Sequence, residues 1–92
     1  MEIRDIPEDK LLRQLAEECL EAAHAALKLI RAHEGEEQLD CTKCRVSLIE
    51  EIADVHVTAD ALLNDIDKLI YGKYCLDKRK RWEERLKDAD KS

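Results

Sequence analysis

Phenylalanine is missing from this chain, and aromatic residues as a class make up only 3% of it. Any core must therefore be built from Leu, Ile, Val and Ala. Proline occurs once and glycine twice in 92 residues, too little turn-forming material for the repeated reversals of a β-sheet protein. No apolar run approaches the roughly 20 residues that a membrane-spanning helix needs. The charged opening, Met1 to Asp5, has no apolar stretch of the secretory kind. A net charge of −6 argues against binding a nucleic-acid polymer across the surface, because phosphate contacts need a cationic field. These absences lead to the expectation of a soluble cytoplasmic protein, one domain over residues 1–92, with neither membrane nor nucleic acid as partner. In that setting Cys19, Cys41, Cys44 and Cys75 read as reduced thiols.

What the chain does have is charge interleaved with apolar residues, 41% of one and 45% of the other, the mixture of amphipathic helices rather than of disorder. Asp5, Pro7, Glu8 and Asp9 form a helix-start signal. A first helix is expected from about Glu8 to Ala32, ending near Gly35, with an apolar arc of Leu12, Leu15, Cys19, Ala22, Ala23, Ala26 and Ile30. The polar stretch from Glu34 to Lys43 reads as a loop. A second helix is expected to start between Thr42 and Val46, run to about Tyr71 and stop at Gly72. Its apolar residues cover more than half the helical circumference, more than one small chain can cover. The fold class expected is thus all-α, an antiparallel bundle of three to four helices completed by homo-oligomerisation, as a dimer or tetramer. A third helix, about Asp77 to Asp88, would turn Trp82 and Leu86 inward.

Two acidic clusters occupy equivalent settings on the long helices: Glu17-Glu18-Cys19-Leu20-Glu21 and Glu50-Glu51-Ile52-Ala53-Asp54. A spacing of three puts Glu18 beside Glu21, and Glu51 beside Asp54. Glu18 borders the apolar arc near Ala22, Ala25 and Leu29, while Glu51 and Asp54 share a narrow polar stripe with Thr58. Either cluster alone would be a solvated helix face. Two of them against apolar stripes predict four carboxylates converging at partly buried positions, unfavourable unless a hard cation such as Mg²⁺ or Mn²⁺ neutralises them.

The segment Leu15-Ala16-Glu17-Glu18-Cys19-Leu20-Glu21 resembles the EExxE helix of the MazG-like all-α nucleoside triphosphate pyrophosphohydrolases. Leu48-Ile49-Glu50-Glu51-Ile52-Ala53-Asp54 resembles their EExxD helix. Lys78, Arg81 and Arg85 are similar to the basic last helix of small members. The resemblance implies cleavage of a nucleoside triphosphate between its α- and β-phosphates, with Glu18, Glu21, Glu51 and Asp54 as Mg²⁺ ligands. The extra acids Glu17 and Glu50 are candidates to orient the attacking water, and Lys28, Lys78, Arg81 and Arg85 to contact phosphate. A stretch of 29 residues separates Glu21 from Glu51, long for this family, and a loop insertion at Cys41-Thr-Lys-Cys44 would account for it.

Other patterns are weaker. Cys41-x-x-Cys44 has the spacing of half a zinc site, but no second pair follows. Glu21-x-x-His24 matches one element of a di-iron bundle, yet Ala53 stands three residues before His56 where the second Glu would be needed. His24 reads as exposed and His56 as an interface residue. The competing functional class is a non-catalytic helical dimerisation or adaptor module with solvated acids.

Overall fold

The computed structural model describes residues Met1–Lys91. A 3-10 turn (Ile3–Asp5) precedes three α-helices: α1 (Glu8–His33), α2 (Cys41–Leu62) and α3 (Asp65–Lys91). No strand occurs among the described residues. None of their helices is long and apolar enough to cross a membrane.

Each boundary has a local cause. The Glu2 backbone N–H donates to the Asp5 carboxylate at 2.9 Å, so Asp5 caps the 3-10 turn and not α1, whose N-cap is Pro7. At the other end of α1, Gly35 N–H donates to the Ala32 carbonyl and Glu36 N–H to the Arg31 carbonyl, at 3.1 and 3.2 Å. This pair of bonds is a Schellman stop, and it requires the left-handed φ of +90° that Gly35 adopts. Asp40 then starts α2 by accepting the Lys43 N–H at 3.0 Å on its carboxylate. The connection is therefore only Glu34 to Asp40. Cys41 and Cys44 lie in the first turn of α2, not in a loop insertion.

The structure corrects the expected second and third helices. Asn64 N–H donates to Asp67 Oδ2 at 3.1 Å, and Asp67 N–H donates back to Asn64 Oδ1 at 2.8 Å. This reciprocal cap starts a new helix, so α2 ends at Leu62 and one helix runs through Gly72 to Lys91. Gly72 has no positive φ and none of the cap bonds that stop α1.

The chain divides into two compact units, one of residues 1–62 and one from Leu63 onward. In the first, α1 and α2 pair as an antiparallel hairpin. Leu29 and Ala32, late in α1, pack with Cys44, early in α2, with Leu39 and Leu48 around them. The acids Glu18 and Asp54 meet farther along. Leu11, Leu15, Glu18, Ala22, Ala25, Leu29 and Ala32 on α1, and Cys44, Leu48, Glu51, Val55, Thr58 and Leu62 on α2, form two series of buried or half-buried positions, with Ala26, Ala59 and Ala61 half-buried beside them. Both series alternate steps of four and three, the seam of a coiled coil.

This seam is rotated from the arc expected for α1. Leu12, Cys19, Ala23 and Ile30 are exposed, and Cys44 is the buried thiol instead of Cys19. In the second unit, every side chain of α3 from Asp65 to Asp90 is exposed except that of Asp67, which is half-buried. Trp82 and Leu86, at 68% and 64% exposure, are therefore not inward anchors.

The two glycines separate these readings. Ala at Gly35 must adopt the left-handed conformation, at a cost of about 1 kcal/mol. Ala at Gly72, where an added Cβ meets nothing within 4 Å, should strengthen α3 by roughly 0.5–1 kcal/mol. Circular dichroism melts of Gly35→Ala and Gly72→Ala should thus shift in opposite directions. A loss of helix in Gly72→Ala would contradict the continuous α3.

Candidate metal centre

The seam that packs Leu11 and Leu29 also contains Glu18 and Glu51, because the four-and-three spacing places them at core-type positions. Asp54 stands three residues beyond Glu51 on one edge of the seam, and Glu21 three residues beyond Glu18. Glu18, Glu51 and Asp54 each offer a carboxylate oxygen within 4.8 Å of the other two. Opposite oxygen ligands of one divalent ion stand about 4.2 Å apart around Mg²⁺ and about 5 Å apart around Ca²⁺. The group therefore has the dimensions of a cation site. Glu21 stands near enough to Glu51 for its charge to raise the Glu51 pKa, but it is not one of the three grouped carboxylates. Three of the four carboxylates expected from the sequence thus come together, and Glu21 lies outside that group.

The electrostatics differ from those of solvated acids. Glu18 Oε2 and Glu51 Oε2 are shielded from water and have no hydrogen-bond partner, an unfavourable state for carboxylate oxygens. Glu18 Oε1 accepts a hydrogen bond of 2.5 Å from the Gln14 amide one turn earlier. The pKa of Glu51 is raised above its ordinary value. Loss of water in the seam is the largest cause, followed by the charge and hydrogen bond of Glu21 and the charges of Asp54 and Glu18. Thr58, expected on the polar stripe, is buried and donates its hydroxyl to the Asp54 carbonyl at 2.8 Å. That bond anchors the helix carrying Asp54 and takes Thr58 out of any ligand role.

The remaining candidates fall into two places. Glu17, Glu50 and Lys28 are exposed. Helical phase puts them on the flank that also carries Glu21 and Asp54, outside the three-carboxylate group. Lys78, Arg81 and Arg85 belong to the second unit, where they line a shallow depression on α3 with Trp82. Among the described residues Cys41 and Cys44 form no metal-type cluster, since Cys44 is packed in the core while Cys41 is exposed. His24 and His56 are both exposed, so His56 is not buried within the chain.

Sequence reasoning missed Gln14. The signal was present, because an amide four residues before a carboxylate on a helix can reach it. It carried weight only once Glu18 was seen to be half-buried.

No family model matches this chain, and no curated protein or solved structure gives a match.

The pKa of Glu51 has a consequence for stability. Since folding raises it, the folded chain binds this proton more tightly than the unfolded chain does. The contribution is full below the unfolded pKa and is lost as pH rises through the higher folded value. In the presence of a chelator, the melting temperature should fall as pH rises from about 4 towards neutrality. Glu51→Gln should flatten that fall and melt higher than wild type at neutral pH. A variant that keeps the wild-type pH profile would show that Glu51 carries no such penalty.

Proposed function

We propose that this chain is a Mg²⁺-dependent nucleoside triphosphate pyrophosphohydrolase of the MazG-like kind, with Mn²⁺ as an acceptable substitute. The observation that carries the reading is the pair of shielded, unpartnered carboxylate oxygens of Glu18 and Glu51, set beside Asp54. Burying like charges in an apolar seam has a chemical rationale when a divalent cation completes them. The EExxE and EExxD helices supply the reaction class.

In this reading Glu18, Glu21, Glu51 and Asp54 hold the ion. A bound Mg²⁺ would supply charge neutralisation for the triphosphate and acidity for the attacking water. Gln14 keeps Glu18 oriented, leaving its second oxygen free for coordination. Glu17 or Glu50, on the solvent side of the same flank, receives the proton of the attacking water. The water oxygen bonds to the α-phosphorus as the bond from that phosphorus to the bridging oxygen breaks, giving a nucleoside monophosphate and pyrophosphate. Lys28 is placed to contact phosphate on the acidic flank. Lys78, Arg81 and Arg85, the other phosphate-binding candidates, form a cationic group within the second unit. The functional form is a homo-oligomer.

A second reading, a non-catalytic helical interaction module, draws support from the apolar side chains left in water, among them Leu20 at 72% and Leu69 at 77% exposure. It treats the acids as incidental.

Pyrophosphate release from a panel of NTPs and dNTPs, with and without Mg²⁺, separates the two. The expected result is metal-dependent release. Glu18→Gln and Glu51→Gln should lower it by about 100-fold or more, since even outer partners of metal ligands cost about 10–100-fold. Absence of release from every nucleotide, by a protein shown to be folded, would leave the interaction module as the better account.

A further inference from the structure

All the aromatic residues of the chain fall on one face of α3. The protein has one Trp, two Tyr and no Phe, and Tyr71, Tyr74 and Trp82 all belong to this helix. At 3.6 residues per turn they share an arc of about 100° with Lys78, Arg81 and Arg85. Between Tyr71 and Arg85, every position on that arc is aromatic or cationic. Asp77, Glu83 and Glu84 lie outside it.

These six side chains are open to solvent. Trp82 stands between two depressions, one lined by Lys78, Arg81 and Arg85 and the other by Lys78, Arg79, Glu83 and Leu86. Its indole is therefore reachable from two sides. Among the described residues Lys78, Arg81 and Arg85 form no ion pair, although Glu83 and Glu84 are close in sequence. Charge is also divided unevenly along the chain. From Leu63 onward nine Lys and Arg stand against seven Asp and Glu, a balance of +2, whereas residues 1–62 carry −8. The expectation of no nucleic-acid partner rested on the net charge of the whole chain, and that charge resides in the hairpin, not in α3.

We infer that this face binds a single-stranded nucleic acid, with bases stacking on Tyr71, Tyr74 and Trp82 and phosphates meeting Lys78, Arg81 and Arg85. Rings interleaved with cations match the two chemical components of such a strand. Dimensions favour a strand over a free nucleotide. At 1.5 Å per residue the rings span about 16 Å of helix and the cations about 10 Å. One nucleotide has a single base and meets one ring, whereas a strand of several nucleotides meets all three. A duplex has its bases already stacked on one another, so their faces are closed to the rings. An acidic peptide would satisfy the cations but gives the rings nothing planar to stack on. The inference uses none of the hairpin carboxylates and is independent of the hydrolase reading.

Trp82 is the single tryptophan of the chain, so its fluorescence reports stacking directly. The full chain is titrated with oligo-dT and with oligo-rU of about 10 nucleotides, in EDTA so that neither hydrolysis nor metal bridging contributes. The expected result is quenching of Trp82, with affinity falling as salt rises at a log–log slope of about −2, as three phosphate contacts require. Measured by anisotropy of a labelled strand, Trp82→Ala should weaken binding by about 10-fold and Arg81→Gln several-fold. Lys87→Gln removes the same charge from another side of α3 and should change little. Quenching of the wild type decides the matter even if a variant misfolds. Binding of either oligonucleotide supports the inference, and the tighter of the two identifies the sugar. Absence of quenching by both overturns it. So does poly-glutamate binding as tightly as the strands, an equal loss in Lys87→Gln, or a Trp82 that acrylamide does not reach in the free protein. Strand binding without pyrophosphate release leaves this inference standing and the hydrolase reading overturned, and release without strand binding does the reverse.

Discussion

Two glutamates share an apolar seam between antiparallel helices, and the organisation of the hairpin is read most directly from that constraint. A coiled-coil seam normally tolerates apolar side chains. Here Glu18 and Glu51 share the seam with Leu11, Leu15, Leu29, Leu48 and Val55, and their inner oxygens meet neither water nor a donor. Like charges brought together in that setting oppose folding. The rest of the hairpin holds them there despite it, through the Schellman turn at Gly35, the Asp40 cap and the cluster of Leu29, Ala32 and Cys44. A proton relieves the same repulsion, which links stability to pH at one point.

The hairpin is asymmetric across that seam. One edge gathers Glu21 and Asp54 with Lys28, Glu17 and Glu50. The other presents apolar side chains and small residues. Among the described residues only four hydrophobic side chains are buried, a core that is thin for the chain's length.

The all-helical class was legible because helical periodicity and the scarcity of Gly and Pro agree. The paired acids were legible because a spacing of three on a helix is geometry, and the meeting of Glu18, Glu51 and Asp54 needed only that the two helices pair. Other expectations failed for physical reasons. Gly72 and Gly35 look alike in sequence, but only Gly35 is followed by a turn that satisfies the orphan carbonyls of a helix end. Asn64 and Asp67 terminate one helix and start the next by reciprocal hydrogen bonds, a stronger instruction than the apolar periodicity running through them. Cys41-x-x-Cys44 resembled a knuckle, but Asp40 winds it into a helix that turns Cys44 into the core.

By itself, then, the sequence determined the helical class, the limits of α1 and the placing of paired acids on two successive helices, because these follow from local backbone preference and helical phase. The rotational setting of α1 was decided only by tertiary structure. Leu12, Cys19 and Ile30 lie on one possible apolar face and Leu11, Leu15 and Leu29 on another. Local propensity does not distinguish faces of similar hydrophobicity; packing against Cys44, Leu48 and Val55 does. That choice put Glu18 in the seam opposite Glu51 and left the competing face exposed to water.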